Sequence, residues 1–279
     1  MTKRLIINAD DYGLARDVNR GIIECYTRGA VTDMSMLAVG ESFRHAAELA
    51  KKNNINKIGV HLALTGPFGP VSPTEKIPSL LDKNKRFPKS YMEFLAKFFT
   101  GRVSKNEIYT EFKNQISKIK KENFKITHID GHQHVHTVPA ILEIVIRLMK
   151  EENINYVRFP AEKIGIITKL TDPHILIRNL SLSAMCGLSK KLLKSSGVKH
   201  NDHFIGHSRA HEISRENLMF ALSRLKDGLT ELGCHPGYFT EDVKIKHPYY
   251  RNCEEELKAL CDKGFVDEIK NHSVELVSY

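Results

Sequence analysis

The chain alternates between two hydrophobic rhythms, and that alternation restricts its fold more than any other feature. Short apolar runs with strand character are each followed by stretches whose apolar residues recur at helical spacing. "RLIIN" precedes "ARDVNRGIIECYTRG", where Val18, Ile22, Ile23 and Tyr26 share one helical stripe that ends at Gly29. "AVTDMSMLAV" precedes "ESFRHAAELAKKNN". "KIGVHLAL" leads through the Pro/Gly-rich loop "GPFGPVSPTEKIP" to helices expected around 91–100 and 104–121. "FKITHID" precedes "PAILEIVIRLMKEEN", with Pro139 near the first turn, where a missing N–H is tolerated. "INYVRFP" is followed by a helical excursion over roughly 172–196, inside a segment of about 163–200, and then by "SRENLMFALSRL". "GLTELGCHPG" precedes "CEEELKALCDKG", and "HSVELVSY" reads as a last strand. Repeated β-then-α units predict an α/β fold with a parallel sheet and right-handed crossovers, either a barrel or a doubly wound open sheet. No repeat or flexible linker divides the 279 residues, so one domain is expected.

Composition narrows the function classes. No apolar run approaches the length needed to cross a bilayer. The N-terminal "MTKRLIINADD" reads as a first strand rather than a signal peptide. The five cysteines (Cys25, Cys186, Cys234, Cys253, Cys261) are scattered and lack any CxxC, which fits a reduced cytoplasmic protein. A net charge of +9 permits an anionic partner. Lys and Arg are spread along the chain, however, without zinc-finger spacing or RNP-type aromatics, so nucleic acid is not expected. The densest basic patch, "LSKKLLKSSGVKH" (Leu188–His200), reads as a solvated helix face or as a surface for an acidic lipid head group or glycan.

In parallel α/β folds, functional side chains gather at the C-terminal ends of the strands. Five strand ends here carry chemistry. They are "NADDYG" with Asn8, Asp10 and Asp11; "GVHLALTG" with His61; "THIDGHQHVHT"; "YVRFP" with Arg158; and "ELGCHPG" with His235. In the third, His128, Asp130, His132, His134 and His136 all fall on even numbers. An extended strand would bring His128, Asp130 and His132 out on one face, with Gly131 breaking the strand. Singly, each residue has an ordinary reading. Asp10 or Asp11 can cap a helix, His61 can be a core histidine, Arg158 can form an ion pair, and His235 can be a turn residue. Together they support different chemistry. A carboxylate and two neutral imidazoles hold a divalent metal with positions left open. A second carboxylate takes a proton from water, and a histidine opposite protonates a leaving amine or alcohol. Arg158 keeps the base ionised. This is metal-assisted hydrolysis of an amide or ester.

The pieces "NADDYG", "GVHLALTG", "THIDGHQHVH", "YVRFP" and "ELGCHPGY", in that order, together with the loop "IPSLLDKNKRF", resemble the YdjC-like carbohydrate deacetylases, the ChbG/HpnK family, over most of the chain. The resemblance implies a distorted TIM-like β/α barrel of mostly parallel strands in a single domain. It implies metal-dependent removal of the N-acetyl group from an N-acetylated amino sugar, with release of acetate. One divalent ion, Mg or Zn first and Co, Mn or Ni as alternatives, would fall on Asp11, His61 and His132. Asp10 matches the catalytic base and His235 the acid, and Arg158 resembles the residue that supports the base. His134 and His136 would support the site or face substrate, and His128 and Asp130 receive no role. The stretch "LSKKLLKSSGVKHNDHFIGHSRAHEIS" is similar to the hopanoid-associated branch, which implies a lipid-linked glycan as well as an oligosaccharide, and peripheral contact with a membrane surface. A homodimer is compatible with this reading. The rivals are another metal-dependent hydrolase on a similar barrel, a phosphoesterase or amidohydrolase, or a non-catalytic glycan- or anion-binding protein.

Overall fold

A computed structural model describes residues 2–162, 173–207 and 213–279; the part of the expected helical excursion at 163–172 lies outside them. Eight strands form one sheet: β1 (Lys3–Tyr12), β2 (Asp33–Met36), β3 (Lys57–Leu62), β4 (Lys125–Gly131), β5 (Tyr156–Val157), β6 (His203–Ile205), β7 (Gly228–Cys234) and β8 (Val274–Leu276). They run in the order β5-β4-β3-β2-β1-β7-β6, with β8 added to β1, and every pairing is parallel. The α-helices are α1 (Arg16–Arg28), α2 (Phe43–Lys52), α3 (Tyr91–Phe99), α4 (Lys105–Lys120), α5 (Pro139–Glu152), α6 (Pro173–Ser196), α7 (Arg215–Ser223), α8 (Glu241–Lys246), α9 (Cys253–Leu260) and α10 (Lys263–Asn271). The architecture is a distorted TIM-like β/α barrel. No helix among the described residues is long and apolar enough to cross a membrane.

The sheet's two end strands, β5 and β6, are not paired with each other. Among the described residues the seam is spanned by a bridge between Tyr156 and Lys199 and by the side chain of Asn201. Its Oδ1 accepts from the Phe159 N–H at 2.7 Å and its Nδ2 donates to the Phe159 carbonyl at 2.8 Å. A side-chain amide thus takes the place of the missing strand neighbour. The core follows the helical stripes read from the sequence. α1 buries Val18, Ile22 and Ile23, and α5 buries Ile141, Leu142, Val145 and Met149. β6, α8 and α10 were not anticipated. Three residues are too few for a period to show, and α10 is set by a local cap, Asp262 accepting from the Phe265 N–H at 2.9 Å.

Two strands depart from regular pairing. Between Ala9 and Tyr12, β1 advances three residues while β2 advances two. Between Ile126 and Ile129, β4 likewise gains a residue on β3. The first lies at the C-terminal end of β1 and the second within β4, and such bulges re-aim the side chains that follow.

Candidate active site

Adjacent residues on a strand normally face opposite sides of the sheet. The bulge in β1 removes that constraint at Asp10 and Asp11. Asp11 takes the left-handed conformation, φ 61°, which is rare and strained for a residue with a Cβ. Both aspartates consequently line the same cavity, of about 440 Å³, at the C-terminal ends of the strands. They meet different partners there.

Asp11 is surrounded by imidazoles. Its Oδ1 lies 3.0 Å from His132 Nδ1 and 3.2 Å from His61 Nε2. Its Oδ2 accepts from the Tyr250 hydroxyl at 2.8 Å. The other ring nitrogen of His61, Nδ1, is 2.9 Å from Asp130 Oδ1. Asp130 is also held by the Ser35 hydroxyl at 2.8 Å. The Asp130 carboxylate can only accept at this contact, so His61 Nδ1 carries the proton and Nε2 presents a lone pair. That lone pair points at a carboxylate oxygen. Two acceptors at 3.2 Å require a positive charge between them.

A divalent cation fits this arrangement. Donors at 2.0–2.2 Å from one metal are separated by about 2.8–3.6 Å, from octahedral to tetrahedral angles, and Asp11 meets both imidazoles within that range. The donor atoms of Asp11, His61 and His132 all lie within 4.8 Å of one another, and all three residues are buried. Asp130 behind His61 supplies the hydrogen bond that orients such a ligand. Without a cation, a proton takes the same place. Burial opposes charge on His61, but Asp130 and Asp11 together raise it well above the usual imidazole range. Burial likewise opposes charge on Asp11, and His132 and His61 hold its carboxyl well below the usual range. A second cluster, Asp10, His61 and Asp130, is equally compact. It already holds a cation, because Arg158 contacts both carboxylates.

Arg158 is 1% exposed. Its Nη1 and Nη2 form a fork on Asp10 at 2.5 and 2.6 Å. Nη2 also reaches Asp130 at 2.9 Å, and Nε donates to Glu231 at 2.6 Å. The Phe204 ring lies 5.3 Å from the guanidinium carbon. Burial would lower Arg158, but Asp10, Asp130 and Glu231 keep it well above its ordinary value and so charged. Asp10 also accepts from Asn8 Nδ2 at 2.8 Å.

His235 lines the same cavity and lies edge-on to Tyr250, with ring centres 6.1 Å apart. Its backbone N–H donates to the buried Glu256 at 2.6 Å. Burial lowers its imidazole, while Asp10 and Asp11 act to raise it. The loop after it is fixed from behind, since a Cβ on Gly21 of α1 would fall 2.5 Å from the Cα of Gly237.

The structure thus brings Asp10, Asp11, His61, His132, Arg158 and His235 around one centre. The histidine-rich run behaves differently from a strand with a two-residue beat. β4 ends at Gly131, and His132–Thr137 form two short 3-10 turns kinked at the left-handed Gln133 and His134. His128 sits further back along β4, over Gly59 and stacked on Tyr279 at 3.8 Å, and burial lowers it to about 3. His136 Nε2 donates to the Arg158 carbonyl at 3.0 Å. Asp130, unassigned from sequence, joins the two halves of the site. Glu231 escaped notice too, although it lies two and four residues before Gly233 and His235 on β7 and shares their face. Tyr250 left no periodic signal, because it comes from a 3-10 turn after Pro248.

Fold and site together define a class: a β/α barrel with a buried carboxylate–imidazole cluster able to hold a metal at its strand ends. The family model described as YdjC-like protein matches residues 4–271, and the chain belongs to the YdjC-like family. It is similar to proteins named carbohydrate deacetylase. One from Brevibacillus brevis is 29% identical, covering 99% of this chain and 98% of that protein. Another, from Oceanobacillus iheyensis, is 31% identical over 92% and 96%. A crystal structure from Enterococcus faecalis, described as a cellobiose-phosphate cleavage protein, is 26% identical, covers 100% of this chain and 98% of its own, and superposes with a TM-score of 0.80.

Proposed function

We propose that this protein is a metal-dependent carbohydrate deacetylase that removes the acetyl group from an N-acetylated amino sugar and releases acetate. The observation that carries the reading is the pairing of two unlike carboxylates. Asp11 shares one oxygen with two imidazoles, and Asp10, beside it, is held by a buried guanidinium. Family membership and the relatives named carbohydrate deacetylase support it.

Asp11, His61 and His132 would hold one divalent ion, Mg or Zn first, which when bound lowers the pKa of a water and polarises an acyl oxygen. Asp10 accepts the proton of the attacking water, and the Arg158 fork keeps its oxygens aimed. Glu231 holds Arg158 at Nε, so both terminal nitrogens stay available to carboxylates. His235 delivers a proton to the departing sugar nitrogen. Because burial lowers His235, it rests neutral at pH 7, and the proton that Asp10 takes from water is an available source. Asp130 keeps the His61 lone pair turned toward Asp11.

The substrate is an oligosaccharide or a lipid-linked glycan. α6 presents exposed Lys190, Lys191 and Lys194 beside exposed Leu188, a surface suited to an acidic head group. The test is acetate release from N-acetylglucosamine oligomers and from a lipid-linked N-acetylglucosamine, each with and without chelator. Cellobiose phosphate serves as the comparison substrate, after the Enterococcus relative. Chelator-sensitive acetate release is expected; phosphate release without acetate would replace this reading with a phosphoesterase.

A further inference from the structure

Two successive residues after the His132 position, Gln133 and His134, take left-handed backbone conformations, with φ of 52° and 57°. Neither is glycine, so each step is strained. Across this left-handed pair, His132 and His134 both line the cavity, with Gln133 exposed at its rim. His136, two residues on, does not line it. The His134 ring lies 5.6 Å from Phe204, edge-on, and 5.0 Å from His207, which also lines the cavity. Its Nδ1 is buried and has no protein partner among the described residues. Buried polar atoms in native proteins nearly always have a partner. Strain and an unmet hydrogen bond coincide at one residue, and packing alone explains neither.

We propose that His134 is a specificity-determining residue whose Nδ1 hydrogen-bonds a hydroxyl or the amide of the sugar in this cavity. The choice of a sugar rests on the proposed deacetylase function. The experiment compares wild type, His134→Ala and His134→Asn, whose amide places a polar group near the Nδ1 position. Two measurements are made on each: kcat/KM for an N-acetylglucosamine trimer against kcat/KM for 4-nitrophenyl acetate, which has no sugar, and calorimetric binding of the trimer. Bound metal and melting temperature are recorded in parallel. The alanine variant is expected to lower the trimer-to-ester ratio at least tenfold, mainly through KM, and to weaken trimer binding by a similar factor. The asparagine variant is expected to recover part of both. An unchanged ratio, or a loss on both substrates that tracks metal content or melting, overturns the proposal. If wild type binds the trimer but releases no acetate, the deacetylase reading fails while binding still decides the role of His134. If wild type does not bind the trimer, both fail.

Discussion

Asp10 and Asp11 are neighbours in the chain, yet they belong to two regions built on opposite principles. Around Arg158, the protein supplies its own counter-charges: one buried guanidinium meets Asp10, Asp130 and Glu231. Around Asp11, the protein brings acceptors together, an imidazole lone pair and a carboxylate oxygen 3.2 Å apart. The first region is complete as folded. The second becomes complete when a cation or a proton enters it. A buried ion pair is a poor source of stability but is strongly destabilising when broken. A buried set of converging acceptors is the reverse, tolerable when dismantled and useful only when filled. The difference separates the residues that hold the site from those that use it.

The comparison breaks most severely at Arg158. Arg158→Met leaves three buried carboxylates without a cation. A loss of about 3–5 kcal/mol is expected in denaturant unfolding, with or without metal present. A loss under about 1 kcal/mol would mean the carboxylates do not depend on it.

At Asp10 the effect falls on rate instead. Asp10→Asn removes the base and gives up one arm of the fork, since an amide nitrogen cannot accept from Arg158, so turnover is expected to drop roughly 10²–10⁴-fold. Metal stoichiometry should stay at the wild-type value. Full turnover in this variant would remove Asp10 from the role of base.

Glu231 sharpens the contrast through pH. Burial raises it to about 7, with Arg158 acting the other way, against an ordinary glutamate value of 4.5. The folded chain therefore retains this proton where the unfolded chain has lost it. Stability from this group is complete below about pH 4.5 and is lost as pH rises through about 7. Glu231→Gln cannot ionise. Its unfolding free energy should decline less between about pH 5 and 8 than that of wild type, by on the order of 1–2 kcal/mol. Identical slopes would show that Glu231 is ionised throughout.

The smallest effect is expected at Tyr250. Tyr250→Phe removes one neutral donor to Asp11, for about 1 kcal/mol of stability. In the metal-loaded protein that difference should shrink, because the cation then dominates the Asp11 environment. An equal cost with and without metal would show that Tyr250 serves the fold and not this oxygen.

Much of the barrel was legible in the sequence, because α1 and α5 bury the stripes their spacing announced and each β-then-α unit has a single permitted hand. The gathering of Asp10, His61, Arg158 and His235 was legible for the same reason, as all sit at strand ends. The different surroundings of Asp10 and Asp11 were not legible from spacing, and only the family resemblance gave the two residues different expected roles. Those surroundings depend on a bulge and a positive φ in β1, and no pattern of residue types announces either. The histidine run misled for a related reason. Its beat suggested one shared face, but β4 gains a residue on β3 before Ile129 and stops at Gly131, so His128, His132 and His136 reach three different surroundings. Asp130 and Glu231 lay within reach of periodicity, Asp130 in phase with His128 on β4 and Glu231 in phase with Gly233 on β7 and His235 just beyond it.

Whether Asp11, His61 and His132 hold one cation is tested most directly by calorimetric titration of the chelator-treated protein with Zn²⁺ or Mg²⁺ in buffers of different ionisation enthalpy. One ion per chain is expected, with about one proton released to the buffer as the ion displaces the second proton of His61, and with that binding lost in Asp11→Asn. Binding that survives in Asp11→Asn, or two ions per chain in wild type, would contradict a single-cation site on these residues.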